Sequence, residues 1–166
     1  MLKKLLLALG ILTSVSMYAV PTLNVYDFEV KKDKEASYKS ITEDYVNKTM
    51  GTEQGVLGLF AATDERDKTT SFIVEIYNDY LAFSNHTKNQ ASKDFKAVIP
   101  QIAEGNLNST EVDIQIAKDK KVEQNDNTFT VYTVIDVKPE NNKEFTEIIK
   151  SRAETTFNEN GVLLVY

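Results

Sequence analysis

The chain has 166 residues, 42% hydrophobic and 27% charged, enough for one well-buried core or two small ones. It contains no Cys, so disulfides, thiolate nucleophiles and Cys-based zinc or iron–sulfur sites are excluded together. The formal net charge is −6 and no basic patch is interleaved with aromatics, which argues against nucleic acid as a partner.

Taken in chain order, Lys3 and Lys4 precede an apolar run from Leu5 to Met17 that is too short for a comfortable membrane span. Residues 1–19 therefore read as a secretory signal peptide. Cleavage after Ala19 sets Met17 at the −3 position, and a cut after Ser16 with Ser14 at −3 is nearly as good. Loss of Lys3 and Lys4 leaves 17 basic against 25 acidic residues, a charge of −8. No Cys follows the run to take a lipid anchor, so a periplasmic or secreted protein, with no membrane association after cleavage, is expected.

Residues 23–30 (LNVYDFEV) are rich in β-branched and aromatic residues and predict a strand. Asp33 offers a cap to an amphipathic helix whose apolar face is Tyr38, Ile41, Tyr45 and Val46, and Gly51 and Gly55 end it. Residues 56–63 and 70–77 predict a hairpin across the polar stretch 64–68. A helical region then runs from about Asp79 to Ala103, with a break around 88–90 and Pro100 near its end. Residues 110–117 (TEVDIQIA) alternate strictly and predict the closing strand. The order β-α-β-β-α-β over 22–117 is the split βαβ, or ferredoxin-like, α+β arrangement, whose spatial strand order is 4-1-3-2.

After a charged linker at 118–127 the pattern restarts. TVYTVIDV at 130–137 echoes the first strand, Phe145, Ile148, Ile149 and Ala153 rebuild the helix face, and Gly161 stands 106 residues after Gly55. Residues 128–166 thus read as an incomplete second copy of a tandem repeat. It lacks a third strand and leaves its edges unpaired, as a truncated chain would.

The segment 75–95, EIYNDYLAFSNHTKNQASKDF, taken with EQGVLGLF at 53–60, resembles the antibiotic biosynthesis monooxygenase family, dimeric α+β barrels that include quinol monooxygenases. The matching features are Glu-x-Gly-Val-Leu opening a strand, Glu-x-Tyr closing one, and Asp79, Ala82 and His86 opening the next helix. The resemblance covers 25–117 in full and 131–166 for the first third of the unit. Many members follow the His with a Thr/Ser-Pro-His-Phe run, whereas here TKNQASKDF follows, a departure that bears on pocket shape.

The resemblance implies a dimeric barrel, formed by a homodimer or an intramolecular pseudo-dimer. It also implies oxidation of a phenol or quinol by O2 with no metal or flavin cofactor. Such chemistry asks for a dry pocket, a base for the phenolic proton and donors for the oxyanion. His86, the only His, fits the base because an unperturbed imidazole titrates near working pH. Tyr77 and Asn85 are the expected catalytic neighbours, and Tyr45, Phe60, Phe72, Asn78 and Phe83 the expected substrate-binding residues. Strand alternation places Phe72, Val74 and Ile76 on one face and Ile73, Glu75 and Tyr77 on the other. The all-apolar set suits the helices, leaving Glu75 and Tyr77 toward the barrel.

Blander readings stand beside these. His86 also fits a solvated helix, bonding to a neighbouring carboxylate or backbone, Tyr45 a core position, and Glu75 a structural ion pair with Lys or Arg. A non-catalytic ligand-binding barrel of the envelope keeps the cavity without the chemistry. Haem-degrading relatives use a Trp with the His, and this chain has none.

Overall fold

The computed structural model describes residues 21–120 and 128–166. The leader expected at 1–19 and most of the linker expected at 118–127 lie outside the described residues. Among the described residues no helix is long and apolar enough to cross a membrane.

Strand β1 (Thr22–Val30) is followed by a 3-10 turn at Lys32–Lys34 and helix α1 (Glu35–Thr52). Asp33 lies inside that turn and does not cap α1. The N-cap position falls to Lys34, with no side-chain cap. The helix passes through Gly51 and ends at Thr52, and the chain turns at Gly55, whose φ is +84°. Strands β2 (Val56–Thr63) and β3 (Thr70–Tyr77) form the expected hairpin. Helices α2 (Tyr80–His86) and α3 (Gln90–Ile102) share the expected break, and Pro100 sits in the last turn of α3.

Strand β4 (Ala103–Val112) follows α3 directly, so the closing strand begins seven residues earlier than 110–117. The reason is the length of its partner. β1 pairs antiparallel with β4 from Val30↔Ala103 to Leu23↔Val112 and then ends, so the alternating residues beyond Val112 have no ladder to join. The sheet order is β2-β3-β1-β4, the ferredoxin-like order expected from sequence, and the sheet of one chain is open.

Helices cover one face. Phe28, Val30, Tyr38, Tyr45, Leu59, Ile73, Phe95, Ile99 and Ile102 form the main core between helices and sheet. The opposite face carries a smaller apolar cluster of Leu23, Val25 and Ile76, with Phe60, Val74 and Ile114 against it. This reverses the expected faces of β3, because Ile73, Glu75 and Tyr77 point at the helices. Apolarity chose wrongly because the helix layer also encloses polar side chains.

In the second segment helix α4 (Asn142–Phe157) forms as the periodicity predicts. Ala153 is buried and Ile148 and Ile149 are exposed. The echo at 130–137 forms no strand. Val131, Tyr132, Val134 and Ile135 are exposed, with the Tyr132 ring 5.4 Å from Phe72. A strand needs a partner ladder, and the short strand β6 (Leu164–Val165) instead pairs with β5 (Lys118–Asp119).

A Cβ placed on Gly55 would meet the Ala82 Cβ at 2.7 Å and the Asn78 Oδ1 at 2.8 Å, in a left-handed backbone conformation. Gly55→Ala is expected to cost about 2 kcal/mol or more, from φ strain and crowding together. Urea unfolding of the variant beside wild type reads the shift in midpoint, and an unchanged midpoint would contradict this account.

Candidate functional site

The site is assembled from β3, the C-terminal half of α1 and the end of α2. Alternation along β3 carries Glu75 and Tyr77 into the layer beneath the helices. On α1 the buried positions Tyr38, Thr42, Tyr45 and Thr49 form one stripe, and Glu53 follows at the helix end. Helix α2 starts at an Asp79 side chain that accepts from the Ala82 N–H at 2.7 Å, and one short helix later it delivers His86 inward. The His86 side chain is 1% exposed, Glu53 6% and Glu75 5%.

These five side chains form one continuous hydrogen-bonded chain. Tyr77 Oη donates to Glu75 Oε2 at 2.7 Å, and Tyr45 Oη donates to Glu75 Oε1 at 2.5 Å. Tyr45 Oη also lies 2.9 Å from His86 Nε2, and His86 Nδ1 lies 2.8 Å from Glu53 Oε2. His86 Nε2 is 3.7 Å from Glu75 Oε1, too far for a direct bond, so Tyr45 is the link between imidazole and carboxylate.

Burial, and then the neighbouring Glu75 charge, push the Tyr45 and Tyr77 phenols far above the ordinary tyrosine range. Tyr26, on β1, is raised by the same two causes in the same order. The phenols are therefore fixed as hydrogen donors. Three buried polar atoms in the same layer, Glu53 Oε1, Thr49 Oγ1 and Asn24 Nδ2, have no protein partner. Among the described residues no group of three or more His, Asp or Glu is arranged to hold a metal ion.

Outside this layer, α1 and α3 enclose a groove of about 370 Å³ lined by residues that include Ile41, Asp44, Tyr45, Lys48, Phe95 and Val98. The Tyr45 and Phe95 rings are stacked, with centroids 4.2 Å apart and planes 11° apart. That pair lines the groove while the Tyr45 hydroxyl reaches His86 and Glu75.

Of the residues singled out in the sequence, His86, Tyr45 and Tyr77 meet in the chain, and Phe83 packs on Tyr77 with centroids 5.5 Å apart. Phe60 packs against the apolar cluster of the opposite sheet face, and Phe72 contacts Tyr132. Asn78 and Asn85 are exposed. The His86 side chain is buried, not solvated, although it does meet a carboxylate, that of Glu53, and Glu75 has tyrosine partners where an ion pair with Lys or Arg was the plain alternative. Sequence reasoning missed Glu53 as a side chain of the site. It stood in the EQG motif, read there only as the opening of a strand, and the signal was its place two residues before the turn glycine that joins α1 to β2.

Residues 22–98 match the antibiotic biosynthesis monooxygenase family. None of the curated proteins matches the chain. Among solved structures, a Fusobacterium nucleatum protein described as a "putative monooxygenase" is 89% identical, with a TM-score of 0.87, over 90% of this chain and 69% of that one. A Lactobacillus acidophilus protein described in the same words shares 15% identity at a TM-score of 0.71, over 87% of this chain and 68% of that one. A Bacteroides thetaiotaomicron protein described as a "putative antibiotic biosynthesis monooxygenase" shares 18% identity at 0.55, over 64% of this chain and 97% of that one. The last two show likeness of fold alone. Together with the ferredoxin-like sheet, the matched segment and the 89% identical relative place the chain in the antibiotic biosynthesis monooxygenase family.

Proposed function

We propose that this chain is an exported monooxygenase that oxidises a quinol-like or phenolic small molecule with O2, using neither metal nor flavin. The observation that carries the reading is the buried hydrogen-bonded chain from Glu53 through His86 and Tyr45 to Glu75, which joins two carboxylates, an imidazole and a phenol. A hydroquinone and O2 give a hydroxyquinone and water. Four electrons leave the substrate, one oxygen atom enters the ring and the other leaves as water. The protein has to take up the phenolic proton, since the phenolate is the better reductant, and to keep bulk water away.

His86 is the acceptor, reached through the Tyr45 hydroxyl. The α1–α3 groove holds the aromatic ring over Tyr45 and Phe95, and its volume suits a small ligand. Tyr77 orients Glu75, and Phe83 packs behind it. The apolar face formed by Leu23, Val25, Phe60 and Val74 is where a second sheet closes the barrel, in a homodimer or between two copies of a repeat. The basic, apolar leader supports export to the periplasm or beyond.

The near-complete burial of His86 favours a second reading, a non-catalytic small-ligand-binding barrel of the envelope. O2 uptake with a panel of hydroquinones separates the two. The monooxygenase reading expects a clear wild-type rate that falls about 10²–10⁴-fold in His86→Ala, the range of a lost general base. No uptake by folded wild-type protein with any quinol moves the assignment to the binding barrel.

The raised tyrosines predict a pH effect of definite sign. In the unfolded chain Tyr45 and Tyr77 ionise near the ordinary value of 10.0, while in the folded chain they stay protonated. Their contribution to stability is therefore present below about pH 10 and lost as pH rises above it. Thermal unfolding between pH 8 and 11 is expected to show this fall, with a smaller fall in Tyr77→Phe. An identical alkaline profile in the two proteins would contradict the assignment.

A further inference from the structure

The hydrogen count of the buried chain leads further. Its four contacts are Tyr77 to Glu75, Tyr45 to Glu75, Tyr45 to His86 Nε2, and His86 Nδ1 to Glu53. Each contact needs one hydrogen between its two heavy atoms. The two phenols and a neutral imidazole supply three. With both carboxylates ionised, one contact therefore sets lone pair against lone pair, and one more proton fills all four.

The groups facing His86 and Glu53 fix where that proton rests. From α1 come Tyr45 and Glu53, from β3 Glu75 and Tyr77, and from β1 Tyr26, which faces Glu75. Helix α3 presents the Phe95 ring to Tyr45, while its Asp94 lines the outer groove with Asp44 and Lys48. Glu75 already accepts from both tyrosines. Glu53 Oε2 meets only the imidazole, and Glu53 Oε1 is buried without a partner. The least satisfied acceptor in the layer is thus Glu53.

We propose that Glu53 is a positioning residue that acts through His86, holding the second imidazole proton and so making the buried chain one proton short until the substrate supplies it. The inference rests on the monooxygenase reading above. The phenolic O–H bond of the substrate breaks and its proton enters the chain at the Tyr45 hydroxyl, so that His86 Nε2 gains a hydrogen while Tyr45 still holds one directed at Glu75. His86 Nδ1, whose proton is shared with Glu53, then faces a carboxylate across a filled contact. The electron pair stays on the substrate as phenolate, and O2 is the oxidant. Uptake is favourable because it completes the fourth contact, and the Glu53 charge offsets the imidazolium in a place without water.

Glu53→Gln tests this directly, because a Gln amide donates to Nδ1 and fills the fourth contact with no added proton. The variant is a standing copy of the protonated state, equal in shape and in net charge. A merely structural Glu53 would be replaced by Gln without loss of turnover. The proposal instead expects Glu53→Gln to fold with an undiminished melting temperature while hydroquinone-dependent O2 uptake falls at least about 100-fold, as for a lost general base. Glu53→Asp should recover part of the rate.

A second readout needs no turnover. The chain has one His, so ¹⁵N spectra of a His-labelled sample report His86 alone. With Glu53 in place the wild-type imidazole is expected to carry a hydrogen on Nδ1, and a second on Nε2 once the fourth contact is filled. In Glu53→Gln the doubly protonated form should be absent wherever wild type shows it, with the hydrogen on Nε2. Wild-type turnover in Glu53→Gln, or the same protonation of His86 in both proteins, would overturn the proposal. If wild type oxidises no quinol, the monooxygenase reading fails while the imidazole spectra still decide the role of Glu53. Should Glu53→Gln not fold, the wild-type spectra alone decide, since an imidazole that never gains its second proton sinks the idea.

Discussion

A carboxylate buried under two helices organises this domain. Glu75 sits on the central hairpin at the level where α1 crosses the sheet, and it is kept there by two phenols that donate one hydrogen bond to each of its oxygens. Removing either donor leaves a buried acceptor short of a partner, at a cost of about 1–3 kcal/mol. The geometry of α1 and α2 follows from this constraint. Tyr45 must stand at its place on α1 to reach Glu75, and α2 must end where it does for His86 to reach Tyr45. The stack of Phe95 on Tyr45 extends the same constraint to α3.

The sheet has two faces with different chemistry for the same reason. The helix-covered face mixes Ile73 and Leu59 with Glu75 and Tyr77, since its polar members satisfy one another within the layer. The opposite face carries the apolar cluster of Leu23, Val25, Val74 and Ile76, with Asp27 and Asn108 hydrogen-bonded further along the same face. Hydrophobicity alone ranks these faces the wrong way round. Mutual hydrogen bonding of Glu75 with Tyr45 and Tyr77 ranks them correctly, and that is a property of residues 30 positions apart.

Tyr45 is the residue shared by the groove and the buried chain. Its ring belongs to the outer wall and its hydroxyl to the buried chain. The Asp44–Lys48 pair that lines the groove, at 2.6 Å, is exposed and contributes little to stability.

Sequence by itself determined the element types and order, from β1 through α3, because the periodicities of 2 and 3.6 and the Gly55 turn are local properties of the chain. The family motif likewise brought Tyr77 and His86 into consideration, and helical periodicity brought Tyr45. Three things were decided only in the tertiary structure. Strand β4 was placed by the length of β1, since a ladder exists only where both strands do. The echo at 130–137 stayed without a ladder because pairing is a property of two segments and alternation of one. The contacts of Glu75 with Tyr45 and of Glu53 with His86 depended on which buried atoms met across 30 and 33 residues, where no spacing in the sequence records the contact.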